Sequence, residues 1–521
     1  MRHLFLGRRA LLARFVPLAL LFVVVGGFAS PVELRADRFH VILLHTNDVH
    51  GQAQPRPATW IDRENPPPVG GLPRLAAYVN KARAEAKASG SGFLLVDGGD
   101  WFQGTPEGNL GKGKPFVSTL MELGYDGLAV GNHEFDHGLE VIGKMIADCK
   151  VPALAANVFE AEGSKRVDWC DAYRIVSVGE MKVAIVGLIT PSTPSITHKD
   201  ASSLHFEDPA ISLGRVREQL GETVDWILPI THLGVPADRR LAKAHPDLDV
   251  IVGGHSHTYL KDGVRQGETL IVQSGSKASA VGRIDLWFDA NDWKLVEVKN
   301  QLVDLLQEPE QADRNAVVEK RCAEMIAESE KIMDAVVGKL AEPFERHFHR
   351  VHSSAGGNFL TDRMRAVMDA DVAFQNRGGI RCDLPAGPIT RRNLFELLPF
   401  GNHLVLMELS GSELIECLRL SVEGTAHTGL EISGVTVLWD KEGEGYRLIG
   451  VELGGVPIEP DARYKVATNN FLAGGGDGYD LLKDKKVLHD DPTILRDILG
   501  EYFTNTGEVH LPAEDRYRKS K

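Results

Sequence analysis

The stretch HVILLHTNDVHG, residues 40–51, joins a short apolar run to a polar D-x-H step. Val41–Leu44 is continuous aliphatic sequence, which is how a strand buried on both faces reads. It ends in Asp48, His50 and a glycine. The same order recurs downstream. GFLLVDGGD (92–100) ends at Asp100, and DGLAVGNHEFD (126–136) ends at Asn132, His133 and Asp136. WILPITHLG (226–234) ends at His232, and DVIVGGHSHT (249–258) ends at His255 and His257. KVAIVGL (182–188) and TLIVQSG (269–275) are further runs of the same kind, and helical stretches such as 70–89 lie between them. Strands alternating with helices predict an α/β sheet, and the crevice beyond the strand ends is where such sheets bind ligands.

The residue types at those ends are metal ligands. In extended chain, residues i and i+2 point the same way. Asp48 and His50 are therefore expected to reach one ion together, and so are His255 and His257. A single carboxylate, Asp100, can bridge two ions with its two oxygens. Carboxylate, amide oxygen and imidazole together suit borderline divalent ions: Zn, Mn, Fe or Co. Neighbouring glycines let the backbone turn sharply. Any one of these residues alone is an ordinary polar strand end. The conjunction of five stretches, in order, is what carries the reading. His133 and Asp136 are three apart just past a strand end, so a helical turn there would let their side chains meet. Glu134 and Asp97, in the same motifs, are assigned supporting roles.

The whole chain of 521 residues is too long for one core and predicts two domains. Its net charge is −14, and the basic leader hides part of the acidity: residues 1–30 hold Arg2, Arg8, Arg9 and Arg14 and no acid. Such a surface repels nucleic acid polymers. Basic residues followed by FVPLALLFVVVGGFA (15–29) read as a signal peptide over 1–30, with an uncleaved anchor as the alternative. GRRALL (7–12) resembles a twin-arginine export signal, so a periplasmic or secreted protein with no lasting membrane span is expected. The five cysteines form no CxxC; Cys149 and Cys170 can pair after export or stay free. Residues 307–340 read as a long charged helical stretch, either a connector or a surface helix. PRPATWIDRENPPPVGG (55–71) is a Pro-rich loop that either rims a site or is an insertion.

The order D-x-H, G-D, G-N-H, H, G-H-x-H over residues 40–275 resembles the calcineurin-like metallophosphoesterases. That resemblance implies one ion on Asp48, His50, Asp100 and His257, and a second on Asp100, Asn132, His232 and His255. It makes His133 and Asp136 the catalytic dyad, with Asn132 also touching substrate. Close relatives often carry another residue where His257 stands. Two such ions, roughly 3.5–4 Å apart, would clamp a phosphoryl group for in-line attack by bound hydroxide.

Further along, QNRGGIR (375–381), PFGN (399–402) and NFLAGGGDGY (470–479) resemble the C-terminal domain of the secreted 5′-nucleotidases. The fold implied is a four-layer α/β/β/α metallophosphoesterase sandwich over 38–306, a helical linker over 307–340, and an α+β substrate-binding domain over 341–521. The implied nucleoside site comprises Arg346, Arg350, Asn376, Arg381, Phe400, Asn402, Phe471 and Asp477, with Phe400 and Phe471 clamping the base. Arg377 replaces the family's usual small residue, and SSAGGNF (353–359) departs from its usual stretch. The activity implied is hydrolysis of nucleoside 5′-monophosphates by an exported monomer. Cyclic-nucleotide phosphodiesterase with 3′-nucleotidase activity, UDP-sugar hydrolysis, and capture of nucleotide without turnover are the alternatives. The thiosulfohydrolases of sulfur oxidation are more distant, because the base-clamp pattern survives here.

Overall fold

The computed structural model describes residues 38–520, apart from 59, 63–64, 162–164, 347–348 and 484. The leader, 1–30, lies outside the described residues. Among the described residues no helix is long and apolar enough to cross a membrane.

Two six-stranded sheets face one another in the first half. One runs, in spatial order, Leu295–Asp304, Ala280–Asp289, Arg38–Thr46, Gly92–Asp97, Gly127–Ala129, Ala153–Leu154. The other runs Val264–Gln266, Thr269–Val272, Val250–Val252, Trp226–His232, Met181–Ile189, Tyr173–Val178. Strand alternation assigns the layers. Val41, Leu43, Leu94 and Val96 point between the sheets to meet Val183, Ile185, Leu228, Ile230 and Val252. Ile42, Leu44 and Leu95 point the other way and are covered by helices Leu72–Ser89, Leu139–Cys149 and Ala316–Met333. Behind the second sheet, Val186, Leu188 and Ile251 pack on helices Pro209–Leu220 and Val235–Ala244. These are the four layers α/β/β/α. Both faces of the central strands are dry, which is why those strands read as continuous apolar runs, whereas the edge strands Leu295–Asp304 and Tyr173–Val178 are partly exposed.

His45 shows how tight the sheet packing is. Its ring is fully buried, neither nitrogen is hydrogen-bonded, and burial lowers it to about 3, so it is a neutral core residue. Across the strand pair sits Gly282, and a Cβ there would lie 1.8 Å from the ring. Gly282→Ala should therefore destabilise the protein by about 1–3 kcal/mol through overpacking. Denaturant unfolding measures it; an unchanged midpoint would show that the ring can step aside.

Helix Ala316–Met333 is shorter than the helical stretch expected over 307–340. Asn315 caps its start by accepting from Val318 N–H at 3.2 Å, and it stops before Val336-Val337-Gly338. β-Branched residues favour extended chain there, and Val336–Leu340 pairs with Gly387–Thr390 and Glu508–Val509 in the second half. The helix itself sends Val318, Cys322 and Met325 into the first core. Beyond it lies an α+β arrangement. A five-stranded sheet, Leu430–Ser433, Val372–Asn376, Arg463–Asn469, His403–Ser410, Lys486–Ile494, carries Gly411–Glu423 on one face, and Ala355–Val367 and Leu495–Thr506 on the other. Arg392 of the second half bonds Glu107 of the first, and Ser329 Oγ donates to the same Glu107 carboxylate at 2.8 Å, so a buried acid ties the two halves near their junction.

Candidate metal centre and the cleft it faces

The strands Arg38–Thr46, Gly92–Asp97 and Gly127–Ala129 run parallel, as do Met181–Ile189, Trp226–His232 and Val250–Val252. Their C-terminal ends open on one crevice, and every residue expected to bind metal lies there. One ligand atom from each of Asp48, His50, Asp100 and His257 falls within 4.8 Å of the others. Beside them, His232 Nε2 is 3.2 Å from Asp100 Oδ2 and 3.1 Å from Asn132 Oδ1. His255 Nδ1 is 3.1 Å from Asn132 Oδ1 and 3.3 Å from His232 Nε2. Asp100 thus touches both groups.

The expectation that His255 and His257 reach one point by extended-chain alternation is corrected. His257 Nε2 lies 2.9 Å from His50 Nε2, whereas His255 faces Asn132 and His232. The reason is backbone conformation. Asp48, His50, Asp100, His255 and His257 all have φ between 50° and 75°, in the left-handed region. Each such residue costs of order 1–3 kcal/mol and persists where the surroundings over-determine it. Glycines make room: a Cβ on Gly131 would sit 2.2 Å from Asp100 Oδ1, and one on Gly99 2.7 Å from His232 Nδ1.

The donor set fits divalent metal. His50 Nδ1 donates to the Gln103 carbonyl at 2.6 Å, and His232 Nδ1 to the Gly98 carbonyl at 2.7 Å. Both bonds fix the tautomer and leave Nε2 as a lone pair aimed inward. Two imidazole nitrogens then face each other at 2.9 Å, and buried Asp48 Oδ1 makes no hydrogen bond although His257 Nε2 is 3.1 Å away. A cation satisfies all three. The field has the matching sign: burial opposes charge on His232, yet Asp100 and Asp48 raise it to about 10.

His133 and Asp136 meet as the spacing predicts. A 3₁₀ turn over Asn132–Phe135 brings His133 Nδ1 to donate to Asp136 Oδ2 at 2.8 Å. Burial works against the imidazolium, but Asp136 and Asp100 overcome it and hold the pKa above its ordinary value. Glu134 points away and accepts from the N–H groups of Asp100, Trp101 and Gly131 at 2.7–3.0 Å, so it shapes the loops. Asp97 accepts from Thr46 Oγ1 and the Gly99 N–H at 2.5 and 2.8 Å.

The second domain enters the crevice directly. The Phe400 ring stacks on the His133 ring, centroids 5.5 Å apart and planes 18° apart. The Arg381 guanidinium lies over the other partner of this stack, 5.6 Å from the Phe400 centroid. Asn376 Nδ2 and Thr428 Oγ1 both donate to Asp477 Oδ2, at 2.8 and 2.7 Å, and Asp477 has φ 55°. The Phe471 ring packs over Gly476, where a Cβ would approach it to 2.5 Å. Asn402 gives its carbonyl to the Leu495 N–H at 2.8 Å. Arg346 pairs with Asp383 at 3.1 Å. Arg350 is turned to the main chain: it donates to the carbonyls of Ser421 and Ala426 at 3.0 Å, holding the loop before Thr428.

The two departures from the family pattern form one unit. Buried Arg377 donates to the carbonyls of His349 and His352, and its Nε is 3.3 Å from Glu431 Oε1. Ser354 Oγ donates to the same carboxylate at 3.0 Å, and a Cβ on Gly357 would meet it at 2.3 Å. Gly357 of SSAGGNF therefore makes space for the acid that Arg377 requires, while Gly356 makes space for the Phe344 ring.

Sequence reasoning missed several supports. Thr197 Oγ1 donates to Asp136 Oδ1 at 2.9 Å from sixty-one residues away. Arg496 donates to the Phe400 carbonyl at 3.0 Å and fixes that loop. Thr428 was equally silent. A lone Thr or Arg carries no local signal, and the carbonyls behind His50 and His232 carry none at all.

Comparison with known proteins matches both halves of the chain. A family model for calcineurin-like phosphoesterases matches residues 42–259, and one for the 5′-nucleotidase C-terminal domain matches residues 336–484. Protein UshA of Yersinia enterocolitica is 29% identical over 530 residues, covering 91% of this chain and 92% of that one. A 5′-nucleotidase of Vibrio cholerae is 26% identical over 539 residues, covering 93% and 94%. The crystal structure of a 5′-nucleotidase precursor from Thermus thermophilus superposes with a TM-score of 0.81 at 31% identity, covering 92% of this chain and 99% of that one.

Proposed function

Because the chain belongs to the 5′-nucleotidase family of metal-dependent phosphoesterases, we propose that it is an exported enzyme that hydrolyses nucleoside 5′-monophosphates to nucleoside and phosphate. The observation that carries this reading is the stacking of Phe400 on His133. It supports the reading because it joins one expected base-binding residue of the second domain to the expected dyad histidine of the first.

Asp48, His50, Asp100 and His257 would hold one divalent ion, and Asp100, Asn132, His232 and His255 a second. Bound there, the ions would supply positive charge to the phosphoryl oxygens and acidify the attacking water. The protein's own groups do the rest. The His133 imidazolium, held charged by Asp136, donates a hydrogen bond to a phosphoryl oxygen as charge develops. Arg381 adds a second, planar donor from the opposite wall. Phe400 and Phe471 offer flat faces to the base, and Asp477, fixed by Asn376 and Thr428, accepts from ribose hydroxyls. Binding across two domains converts a collision into an oriented complex.

Purified protein lacking residues 1–30, incubated with Mn²⁺, is expected to release phosphate from AMP and to stop on addition of chelator. UMP, UDP-glucose and the cyclic AMP isomers, run in parallel, separate the monoesterase from pyrophosphate and cyclic diester chemistry. A metal-replete protein that releases phosphate from none of them would overturn the reading.

A further inference from the structure

Asp136 is held at two points, and the histidine is only one of them. Its Oδ2 accepts from His133 Nδ1 at 2.8 Å, and its Oδ1 accepts from Thr197 Oγ1 at 2.9 Å. A carboxylate with a single hydrogen bond can turn about its Cβ–Cγ bond, because torsions of that kind have broad wells. Two donors, one on each oxygen, fix its plane. The plane of Asp136 then sets the tilt of the imidazole bonded to it, and so the direction in which His133 Nε2 points. That nitrogen lies on the side of the metal residues, 3.9 Å from Asp100 Oδ2.

Thr197 suits this task because its own segment is anchored on both sides. Residues 190–197 leave the end of the strand Met181–Ile189, and the Thr190 N–H donates to the His232 carbonyl at 3.0 Å. Thr193 is fully buried, and its N–H and Oγ1 both donate to the Thr190 carbonyl, at 3.2 and 2.7 Å. The Ile196 N–H donates to the Thr193 carbonyl at 3.1 Å. Past Thr197, fully buried Ala201 sinks into the first core, and its N–H donates to the His198 carbonyl at 3.0 Å. Thr197 itself is half-buried, and its β-branched side chain has restricted rotamers. The segment also meets the second domain. The 3₁₀ turn Thr193–Ser195 comes within 8 Å, Cα to Cα, of the turn Gly476–Gly478 that carries Asp477. One strap therefore runs from the main chain of His232, past the Asp477 turn, to the carboxylate of Asp136.

An isolated loop hydrogen bond would account for the Thr197 hydroxyl. Its acceptor argues otherwise, because it is the one oxygen of Asp136 that His133 leaves over, and the strap that delivers it touches the surroundings of the metal residues and of the nucleoside residues on the way.

We propose that Thr197 is a positioning residue for the reaction: it completes a His133–Asp136–Thr197 set in which the hydroxyl fixes Asp136 and Asp136 fixes the imidazole. This rests on the nucleotidase reading and adds a third residue to its catalytic pair. Thr197 touches neither substrate nor metal, and it acts only through Asp136.

The test measures Thr197→Val, which keeps the shape and removes the hydroxyl, with AMP and saturating Mn²⁺. Its kcat should fall about three- to ten-fold, the scale of one lost hydrogen bond, with KM and metal content unchanged, and Thr197→Ser should recover most of the rate. In an Asp136→Asn background Thr197→Val should add no further loss, since residues that act through one contact are not additive. The second readout needs no turnover. The His133 Nδ1–H proton, followed by NMR and assigned by its absence in His133→Ala, should exchange with water faster in Thr197→Val by a similar factor. Unchanged kcat and unchanged proton exchange in folded Thr197→Val would overturn the assignment, and so would a full additional loss in the Asp136→Asn background. If Thr197→Val does not fold, Thr197→Ala decides on the same measurements. A wild-type protein that releases no phosphate from AMP, but whose Nδ1–H exchange quickens in Thr197→Val, would sink the nucleotidase reading and leave the positioning role standing.

Discussion

Asp100→Asn is expected to lower phosphate release by about two to three orders of magnitude and to deplete bound metal. Asp100 reaches both ligand groups with its side chain: Oδ2 is 3.2 Å from His232 Nε2 and 3.9 Å from His50 Nε2, while Oδ1 accepts from the His133 N–H at 3.0 Å. Asparagine keeps the shape, so the fold and the His133 contact should survive. What it removes is the charge that offsets cations at a fully buried point. Losing one partner of a buried charge set costs about 3–5 kcal/mol, and each 1.4 kcal/mol is a factor of ten. Metal analysis by mass spectrometry alongside the AMP assay checks both halves. A variant that retains metal and rate would mean that Asp100 does not join the two groups.

His133→Ala should cut kcat by about a hundred- to ten-thousand-fold, the range for a positioned proton-bearing group. Metal content should hardly change, since His133 Nε2 stands 3.9 Å from Asp100 Oδ2 and lies outside the metal-binding set. Asp136→Asn should give a smaller loss, about ten- to a hundred-fold, because it leaves the ring in place while removing the charge that keeps it protonated. The discriminating result is the split between rate and metal. If metal falls in step with rate in His133→Ala, the residue is a structural part of the cluster. If rate is unaffected, the dyad assignment fails. Loss of the Phe400 stacking partner is the complication, and it would show in KM for AMP; a loss confined to kcat points to chemistry.

Most of the fold was legible because burial on both faces leaves a plain record. Val41–Leu44 and Val183–Ile189 can be read as sheet interior without knowing any partner, and the polar residues that end such runs stand out against them. The candidate metal ligands were legible for the same reason, and because carboxylate, imidazole and amide at successive strand ends have few other uses. The helix over 316–333 was visible in its charge pattern, but its end was not, since Val336–Leu340 becomes strand only through Gly387–Thr390. Legibility also fell sharply in the second domain. Arg346, Arg350 and Arg377 look alike in sequence, yet one pairs with Asp383, one holds main-chain carbonyls and one pairs with buried Glu431.

The sequence by itself determined which residues could hold a divalent ion and in what order they arrive, because donor chemistry is a property of residue type. Tertiary structure alone decided how they divide. Left-handed backbone at His255 and His257 sends neighbouring imidazoles to different groups, and alternation along an extended strand predicts the opposite. It alone brought Phe400 onto His133 from 267 positions away. The physical reason is range: propensity and burial act over a few residues, whereas a binding site is set by fields and contacts between segments that only folding makes neighbours.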